Sequence, residues 1–272
     1  MSVPLISLAD QNEIPQIGLG LWQVKDENEF KTAFDSAIEF GYRHFDTAQF
    51  YRNEQMLGNS WKNSGLKREE LYITTKIAFT NFGQNQVHES FKESLEKLQT
   101  DYVDLLLLHF PVPVLRKKAW LALEEIQKAG GAKSIGVSNY TIKHLEEMNS
   151  YKNTKPVINQ VELHVFLQQP ELIAYCSKNN IQAEAYSPLA RAHVMDNAVV
   201  TKIAQKYNKT YAQIMLRFLI DQGLVIIPKS VTPSRIKENI DIFDFQLDAE
   251  DLSKLKSQDQ NKHFLWSGTR IP

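Results

Sequence analysis

The sequence predicts an α/β fold, a (β/α)8 TIM barrel preceded by a β-hairpin, because short apolar runs alternate with amphipathic segments of helical length along its 272 residues. Parallel strands that alternate with helices need cover on both faces of the sheet, and eight such units close most naturally into a barrel. The strand candidates, rich in aliphatic and aromatic residues, are residues 17–21, 44–46, 71–76, 103–109, 134–138, 157–162, 182–186 and 225–228.

The helix candidates lie between these runs and have apolar residues three and four positions apart. Residues 84–98 show the pattern, with Val87, Phe91, Leu95 and Leu98 on one face. Two further amphipathic segments, 199–207 and 249–257, do not fit a strict alternation and are expected as additional helices on the periphery of the barrel. The other helix candidates are residues 27–40, 54–64, 118–129, 142–148, 170–179, 210–221 and 233–240.

The hairpin is predicted over residues 7–16, where Asp10 and Asn12 are turn-forming residues between apolar flanks. It precedes the first barrel strand, so we expect it to plug the end of the barrel opposite the carboxyl ends of the strands. The whole chain, residues 1–272, is expected to form a single domain, since barrels of this length commonly do.

Composition excludes several classes of function. A formal net charge of −1 provides no field to attract nucleic acid or an anionic membrane. The one cysteine, Cys176, cannot form an intramolecular disulfide, which fits a reducing compartment. The apolar runs, such as residues 105–108, are too short to span a bilayer, and the N-terminus lacks the pattern of a signal peptide. We therefore expect a cytoplasmic protein, a monomer, with no nucleic-acid or membrane partner.

Four polar residues lie at the ends of successive predicted strands: Asp46, Tyr51, Lys76 and His109. A tyrosine hydroxyl, with a pKa of roughly 10, becomes a useful acid or base when a nearby group stabilises its phenolate. Lys76 could do so, and Asp46 would keep that ammonium charged and in place. His109 would then orient a substrate carbonyl at the wall of the pocket.

In order and local context these four residues resemble the catalytic tetrad of the aldo-keto reductases, and the match covers nearly the whole chain. The family resemblance implies a reductase that transfers hydride from NADPH to an aldehyde or ketone, with Tyr51 as proton donor and a small carbonyl compound as substrate. The short loops around the predicted site resemble the shorter microbial members, the broad aldehyde reductases and 2,5-diketogluconate reductases, and imply a broad substrate range.

A second pattern, near residues 227–239, predicts an anion site from the residues alone. A strand ends at Pro228, Lys229 and Ser230 follow, and a helix begins after Thr232 with Arg235 in its first turn. Helix N-termini favour phosphate, and lysine and arginine add charge and hydrogen bonds.

The resemblance implies roles for these and other residues in binding NADPH or NADP+. Ser138, Asn139 and Gln160 would bind the nicotinamide carboxamide, and Tyr186 would stack beneath the ring. The remaining positions would contact the pyrophosphate, the 2′-phosphate and the adenine: Ser187 and Leu189; Lys229, Ser230 and Arg235; and Glu238 and Asn239.

Aromatic residues are expected to line the substrate pocket. Trp22 and Phe110 match pocket-wall positions of the family, and Trp266, with Phe264 and Leu265, is expected to fold over the pocket from the C-terminal tail. The Gly18–Gly20 pair lacks the third glycine and the following helix of a dinucleotide-binding fingerprint.

Three alternatives remain open. A metal enzyme is disfavoured because the histidines are too scattered for a metal motif, so we expect no metal. A Schiff-base aldolase could use Lys76, although Asp46 would keep that amine protonated. Some proteins of this fold keep the cofactor site but act as redox-responsive regulatory subunits, as the β subunits of potassium channels do.

Overall fold

The computed structural model describes residues 3–192 and 196–265. Its central feature is an eight-stranded sheet in which all neighbouring strands are parallel and follow the order of the chain. A two-stranded antiparallel hairpin, β1 (Leu5–Ser7) and β2 (Glu13–Pro15), precedes it. The barrel strands are β3 (Gly18–Gly20), β4 (His44–Asp46), β5 (Tyr72–Ile77), β6 (Val103–Leu108), β7 (Ala132–Ser138), β8 (Ile158–Glu162), β9 (Gln182–Tyr186) and β10 (Val225–Ile227).

The first and last barrel strands meet and close the sheet. The Gly20 amide donates to the Pro228 carbonyl at 3.1 Å, and the Ile226 amide donates to the Gln16 carbonyl at 3.0 Å. The predicted (β/α)8 barrel with an N-terminal hairpin is therefore confirmed. Every predicted strand and helix is present, and no end differs by more than two residues.

Ten α-helices lie in the described part of the chain, and several begin at a side-chain cap. Asp26, Thr141 and Thr210, for example, each accept a backbone N–H at the start of a helix, which satisfies amides that lack an intrahelical partner. The helices are α1 (Glu27–Glu39), α2 (Glu54–Lys62), α3 (Gln84–Leu98), α4 (Arg116–Lys128), α5 (Ile142–Met148), α6 (Pro170–Lys178), α7 (Ala198–Tyr207), α8 (Tyr211–Ile220), α9 (Pro233–Ile240) and α10 (Ala249–Lys256).

The two helices predicted as additions are α7 and α10, and they pack together outside the βα alternation. Lys206 on α7 binds Asp248 and Asp251 at the start of α10, each at 2.5 Å. One predicted helix start differs for a physical reason: α4 begins at Arg116, two residues before the predicted start at residue 118. The Arg116 side chain is buried, and its guanidinium pairs with Glu147. A sequence pattern assigns a charged residue of this kind to solvent, so the prediction left Arg116 out of the helix.

The strand side chains alternate between two apolar layers. Along β6, Leu106 and Leu108 pack outward beneath the helices, whereas Leu105 and Leu107 pack inward. The inward layer includes Leu8 and Ile14 of the hairpin region, together with residues from the amino ends of the strands. The hairpin thus plugs that end of the barrel, as predicted, and leaves the carboxyl ends of the strands as the open end.

Helices α2 and α3 approach most closely at Gly58. A Cβ at this position would lie 2.1 Å from the Lys97 carbonyl oxygen. We expect Gly58→Ala to lower the free energy of unfolding by about 1–3 kcal/mol, because backbone atoms must move apart. Urea denaturation measures the loss. Gln55→Ala, on the exposed face of α2, is the control and should be close to neutral; equal stability of the two variants would contradict the prediction.

Candidate active site

A cavity of about 380 Å³ opens at the carboxyl ends of the barrel strands, the end at which barrel enzymes place their chemistry. It brings together residues that lie within two positions of the end of each barrel strand. Its lining consists of Gly20, Trp22, Asp46, Phe50, Tyr51, Phe79, His109, Phe110, Ser138, Asn139, Gln160, Tyr186, Ser187, Ile227, Lys229 and Leu265.

A buried ion pair forms the floor of the cavity. The Lys76 ammonium, fully buried, donates to Asp46 Oδ1 at 2.5 Å and to the Thr47 carbonyl at 2.9 Å. It also lies 3.5 Å from the Tyr51 hydroxyl. Adjacent parallel strands β4 and β5 place Asp46 opposite Thr74, and Lys76 follows two residues later on the same face. The three residues therefore meet as predicted.

The Tyr51 hydroxyl stays protonated in this environment. Burial raises the pKa of Tyr51 well above its ordinary value, and the negative charges of Asp46 and Glu184 raise it further. The direction is opposite to that expected for a phenolate stabilised by Lys76. The main reason is burial. In addition, Asp46 matches the charge of Lys76, so the phenol lies beside an ion pair and not beside a lone cation.

His109 follows β6 directly and lies at the cavity wall. Burial, and then the positive charge of Lys76, lowers the pKa of His109 to about 3, so its imidazole is neutral at physiological pH. Its ring meets the Tyr51 ring edge-on at 5.6 Å and stacks on Phe110 at 5.1 Å. The side-chain amide of Asn139 donates to the His109 carbonyl at 3.1 Å and fixes the backbone there. A neutral imidazole can donate one hydrogen bond to a substrate oxygen.

Polar residues predicted to bind a nicotinamide form one continuous hydrogen-bond network at the ends of β7, β8 and β9. Ser138 donates from its hydroxyl to the Gln160 carbonyl at 2.8 Å, and Tyr186 donates to Asn139 Oδ1 at 2.7 Å. Asn139 has a φ of +65°, a left-handed conformation that asparagine tolerates better than most residues. The structure therefore brings these four residues together.

The side-chain amide of Gln160 bridges two carboxylates. Its Nε2 donates to Asp46 Oδ2 at 2.8 Å and to Glu184 Oε2 at 2.9 Å. Burial, and then the charge of Asp46, raises the pKa of Glu184 to about 8. His44 lies 3.8 Å from Glu184, but burial lowers the pKa of His44 to about 3, so this contact is not an ion pair at neutral pH.

Sequence reasoning missed Glu184 as a member of the site. A signal was available, because Glu184 stands in the middle of a short apolar strand, two residues before Tyr186, and must share its face of the sheet. A charged residue at such a position points into the barrel and needs a polar partner there.

The predicted anion site lies at the start of α9. Lys229 and Arg235 are exposed, and neither has an ion-pair partner within residues 3–192 and 196–265. Thr232 occupies the position before the helix, but its side chain accepts no backbone N–H of the first turn. Ser230 provides the local bond, since its hydroxyl accepts the Thr232 amide at 3.1 Å.

Three other predicted cofactor contacts lie outside the cavity lining. Glu238 accepts a hydrogen bond from the Thr210 hydroxyl at 2.5 Å, Asn239 is buried on α9, and Leu189 packs partly buried against the outer core. They lie beside the anion site or along the loop that follows β9.

Aromatic side chains form the mouth of the cavity. Trp22 and Phe110 line it as predicted, whereas Phe50 and Phe79 were not foreseen. Both follow strand ends closely, and their rings lie 5.7 Å apart. Leu265 of the C-terminal tail also lines the cavity, and Trp266 lies outside the described residues.

A cavity of about 530 Å³ near the hairpin is lined by no acidic, basic or aromatic side chain. No group of three or more histidine, cysteine, aspartate or glutamate side chains in residues 3–192 and 196–265 is arranged to hold a metal ion. None of the helices in those ranges combines the length and apolar character that a bilayer span requires.

Comparison with known proteins agrees with this geometry. The model of the aldo/keto reductase family matches residues 16–260. Methylglyoxal reductase DkgA of Escherichia coli O157:H7 is 48% identical over 262 residues, which cover 95% of this chain and 94% of that protein. The crystal structure of MGS-M4, an aldo-keto reductase from a Medee basin deep-sea metagenome library, superimposes with a TM-score of 0.95 at 40% identity, covering 98% of this chain and 99% of the other. An aldo-keto reductase of Bombyx mori, solved in complex with NADP, gives a TM-score of 0.93 at 35% identity, covering 100% and 98%. The resemblance inferred from the tetrad is thereby confirmed, and the chain belongs to the aldo/keto reductase family.

Proposed function

We propose that this protein reduces aldehydes or ketones to alcohols with NADPH, with Tyr51 as proton donor. The observation that carries the proposal is the protonated Tyr51 hydroxyl, which faces the cavity 3.5 Å from the Lys76 ammonium and beside the neutral ring of His109. A carbonyl oxygen bound between Tyr51 and His109 would meet one acid and one neutral hydrogen-bond donor.

The described residues fit NADPH at both ends of the molecule. At one end, Ser138, Asn139 and Gln160 offer hydroxyl and amide groups to a carboxamide, and Tyr186 offers a ring face. At the other, Lys229 and Arg235, which have no ion-pair partner in the described part of the chain, flank the N-terminus of α9, where the helix dipole favours phosphate. The relative solved with NADP supports this choice of cofactor.

Proton transfer follows from the environment of Tyr51. When bound, the dihydronicotinamide supplies a hydride to the carbonyl carbon. As negative charge grows on the carbonyl oxygen, the Tyr51 hydroxyl gives up its proton, and the His109 N–H steadies the oxygen. The raised pKa of Tyr51 keeps its hydroxyl protonated until the carbonyl oxygen accepts the proton. Lys76 then stabilises the tyrosinate, and Asp46 holds Lys76 within reach.

The substrates we propose are small carbonyl compounds over a broad range. Methylglyoxal reductase activity is stated for the Escherichia coli relative, and the cavity here can hold a compound of that size. The aromatic residues at its mouth, Trp22, Phe50, Phe79 and Phe110, also provide apolar surface for a hydrocarbon group.

The aldolase alternative is disfavoured by the contacts of Lys76. Its ammonium donates to Asp46 and Thr47 and approaches Tyr51, so it is buried in a charged and hydrogen-bonded state. A Schiff base requires a neutral, free amine. NADPH absorbance followed with a panel of aldehydes, dicarbonyls and keto-sugars separates these classes of protein. Consumption of NADPH supports the reductase, and tight NADPH binding without turnover would indicate a regulatory subunit. Trapping of a substrate on the protein by borohydride, without NADPH, would indicate an aldolase.

Tyr51→Phe removes the acid and keeps the ring. We expect kcat to fall by roughly 10²- to 10⁴-fold, the usual contribution of general acid catalysis. NADPH binding, followed by fluorescence, should stay close to that of the wild type. Full activity of the variant would remove Tyr51 from the mechanism.

Arg235→Ala tests the site for the 2′-phosphate. The KM for NADPH should rise roughly 10- to 100-fold, because a charge-assisted hydrogen bond contributes about 1.5–3 kcal/mol. The KM for NADH should change little, since NADH lacks that phosphate. Lys237→Ala makes the same change of charge on α9 at another exposed position and serves as the control. Equal losses with both cofactors would contradict the assignment.

Glu184→Gln tests the buried proton. Folding raises the pKa of Glu184 from 4.5 to about 8, so the native state holds a proton that the unfolded chain releases above pH 4.5. Wild-type stability should therefore fall relative to the variant as pH rises from about 5 to 8, by on the order of 3–4 kcal/mol. Thermal melts at several pH values measure the difference. Glu93→Gln, at an exposed site on α3, should show no such trend; a flat difference for Glu184→Gln would show that its carboxyl is ionised throughout.

A further inference from the structure

The C-terminal tail, here residues 257–265, runs from the end of α10 back to the mouth of the active-site cavity. The amides of Gln260 and Lys262 donate to the Phe166 carbonyl at 3.1 and 3.2 Å. Phe264 packs against the outer core, and its ring lies 5.4 Å from that of His164. Leu265 then reaches the cavity and lines it. The position of one wall of the cavity therefore depends on how the tail is held.

One buried carboxylate, that of Glu162, accepts the amides at the end of this tail. Glu162 Oε1 accepts the Phe264 N–H at 2.9 Å, and Oε2 accepts the Leu265 N–H at 3.3 Å. Two histidines flank the same group: His164 Nε2 lies 3.5 Å from Oε1, and His263 Nδ1 lies 3.4 Å from Oε2. The side chain of Glu162 is only 2% exposed.

The tail and the carboxylate depend on each other. A charged carboxylate out of water is costly unless N–H groups replace its hydration. Burial alone would raise the pKa of Glu162, but His164 and the amides of Phe264 and Leu265 together lower it, so the group is ionised. Releasing the tail would strip this charge of both backbone donors.

Glu162 takes no part in the chemistry described above. It ends β8 two residues after Gln160 and does not line the cavity, although its register partner Tyr186 does. Its backbone carbonyl is tied separately, by the Gln169 side chain at 2.8 Å, so the carboxylate is not needed to hold the strand end at that point.

We propose that Glu162 is a specificity-determining positioning residue: by binding the amides of Phe264 and Leu265, it holds Leu265 in the cavity wall and limits the size of the carbonyl substrate. The inference rests on the proposed reductase function for its effect on substrates. The attachment of the tail does not require that function.

Glu162→Gln is the direct test, because it keeps the size of the side chain, removes the charge and replaces one acceptor oxygen with an NH2 group. Asp259→Asn is a matched control in the tail: Asp259 is exposed, and its Oδ1 also accepts two amides, from Gln168 at 3.3 Å and Asn261 at 3.0 Å. Hydrogen exchange of C-terminal peptides, followed by mass spectrometry, reports on the amides of residues 264 and 265 without any substrate.

We expect faster exchange of the C-terminal peptide in Glu162→Gln and not in Asp259→Asn. With NADPH saturating, kcat/KM for methylglyoxal should stay within about twofold, whereas that for a bulky aldehyde such as 2-naphthaldehyde should rise about tenfold through a lower KM, a change typical of reshaping an apolar pocket. Leu265→Ala, which leaves Glu162 in place, should give the same rise in kcat/KM for the bulky aldehyde. It replaces Glu162→Gln as the test if that variant does not fold.

Unchanged exchange in Glu162→Gln would overturn the attachment. Equal losses with both aldehydes, together with weaker NADPH binding, would also overturn the proposal, since Glu162 would then act on the cofactor through neighbouring Tyr186. If the wild type reduces no aldehyde, the proposed function fails, and the exchange rates still decide whether Glu162 holds the tail.

Discussion

The active site depends on one buried ion pair, Lys76 with Asp46. Removing a lysine ammonium from water costs free energy, and this cost is offset only when a carboxylate and further acceptors surround the ammonium. Asp46 and the Thr47 carbonyl do so at 2.5 and 2.9 Å. Because Asp46 also accepts from Gln160, the pair fixes the position of a third strand. The polar centre is thus as constrained as the apolar layers around it.

The barrel makes this arrangement possible because it turns sequence order into spatial order. Asp46, Lys76 and His109 are far apart in the chain but lie at the carboxyl ends of neighbouring strands β4, β5 and β6. Lys76 comes two residues after Thr74, the partner of Asp46, and His109 comes two residues after Leu107, the partner of Lys76. The hairpin closes the other end with apolar residues such as Ile14. Polar groups consequently collect at the open end, where substrate and cofactor can reach them.

The sequence predicted the elements of this fold well, because period and strand-end position are local signals. It also placed the four tetrad residues and Gln160 at one site. The sequence alone did not predict interactions across the barrel. Whether Gln160 would bridge Asp46 to Glu184 depends on the side of the barrel that each strand occupies. The raised pKa of Tyr51 was beyond the sequence for the same reason, since the burial of the hydroxyl and the nearby charge of Glu184 are not visible in the chain.

Glu184 and Glu162 show how environment separates two like residues. Both are buried near the same end of the barrel, yet the pKa of Glu184 is raised and that of Glu162 is lowered. Glu184 has one amide donor and a charged neighbour, Asp46, so it keeps its proton. Glu162 has two backbone amides and two imidazoles, and it stays charged. Burial and the charge of Asp46 decide the outcome for Glu184, whereas His164 and the amides of Phe264 and Leu265 decide it for Glu162. The first can therefore store a proton within the polar centre, and the second can bind the backbone that forms the wall of the cavity.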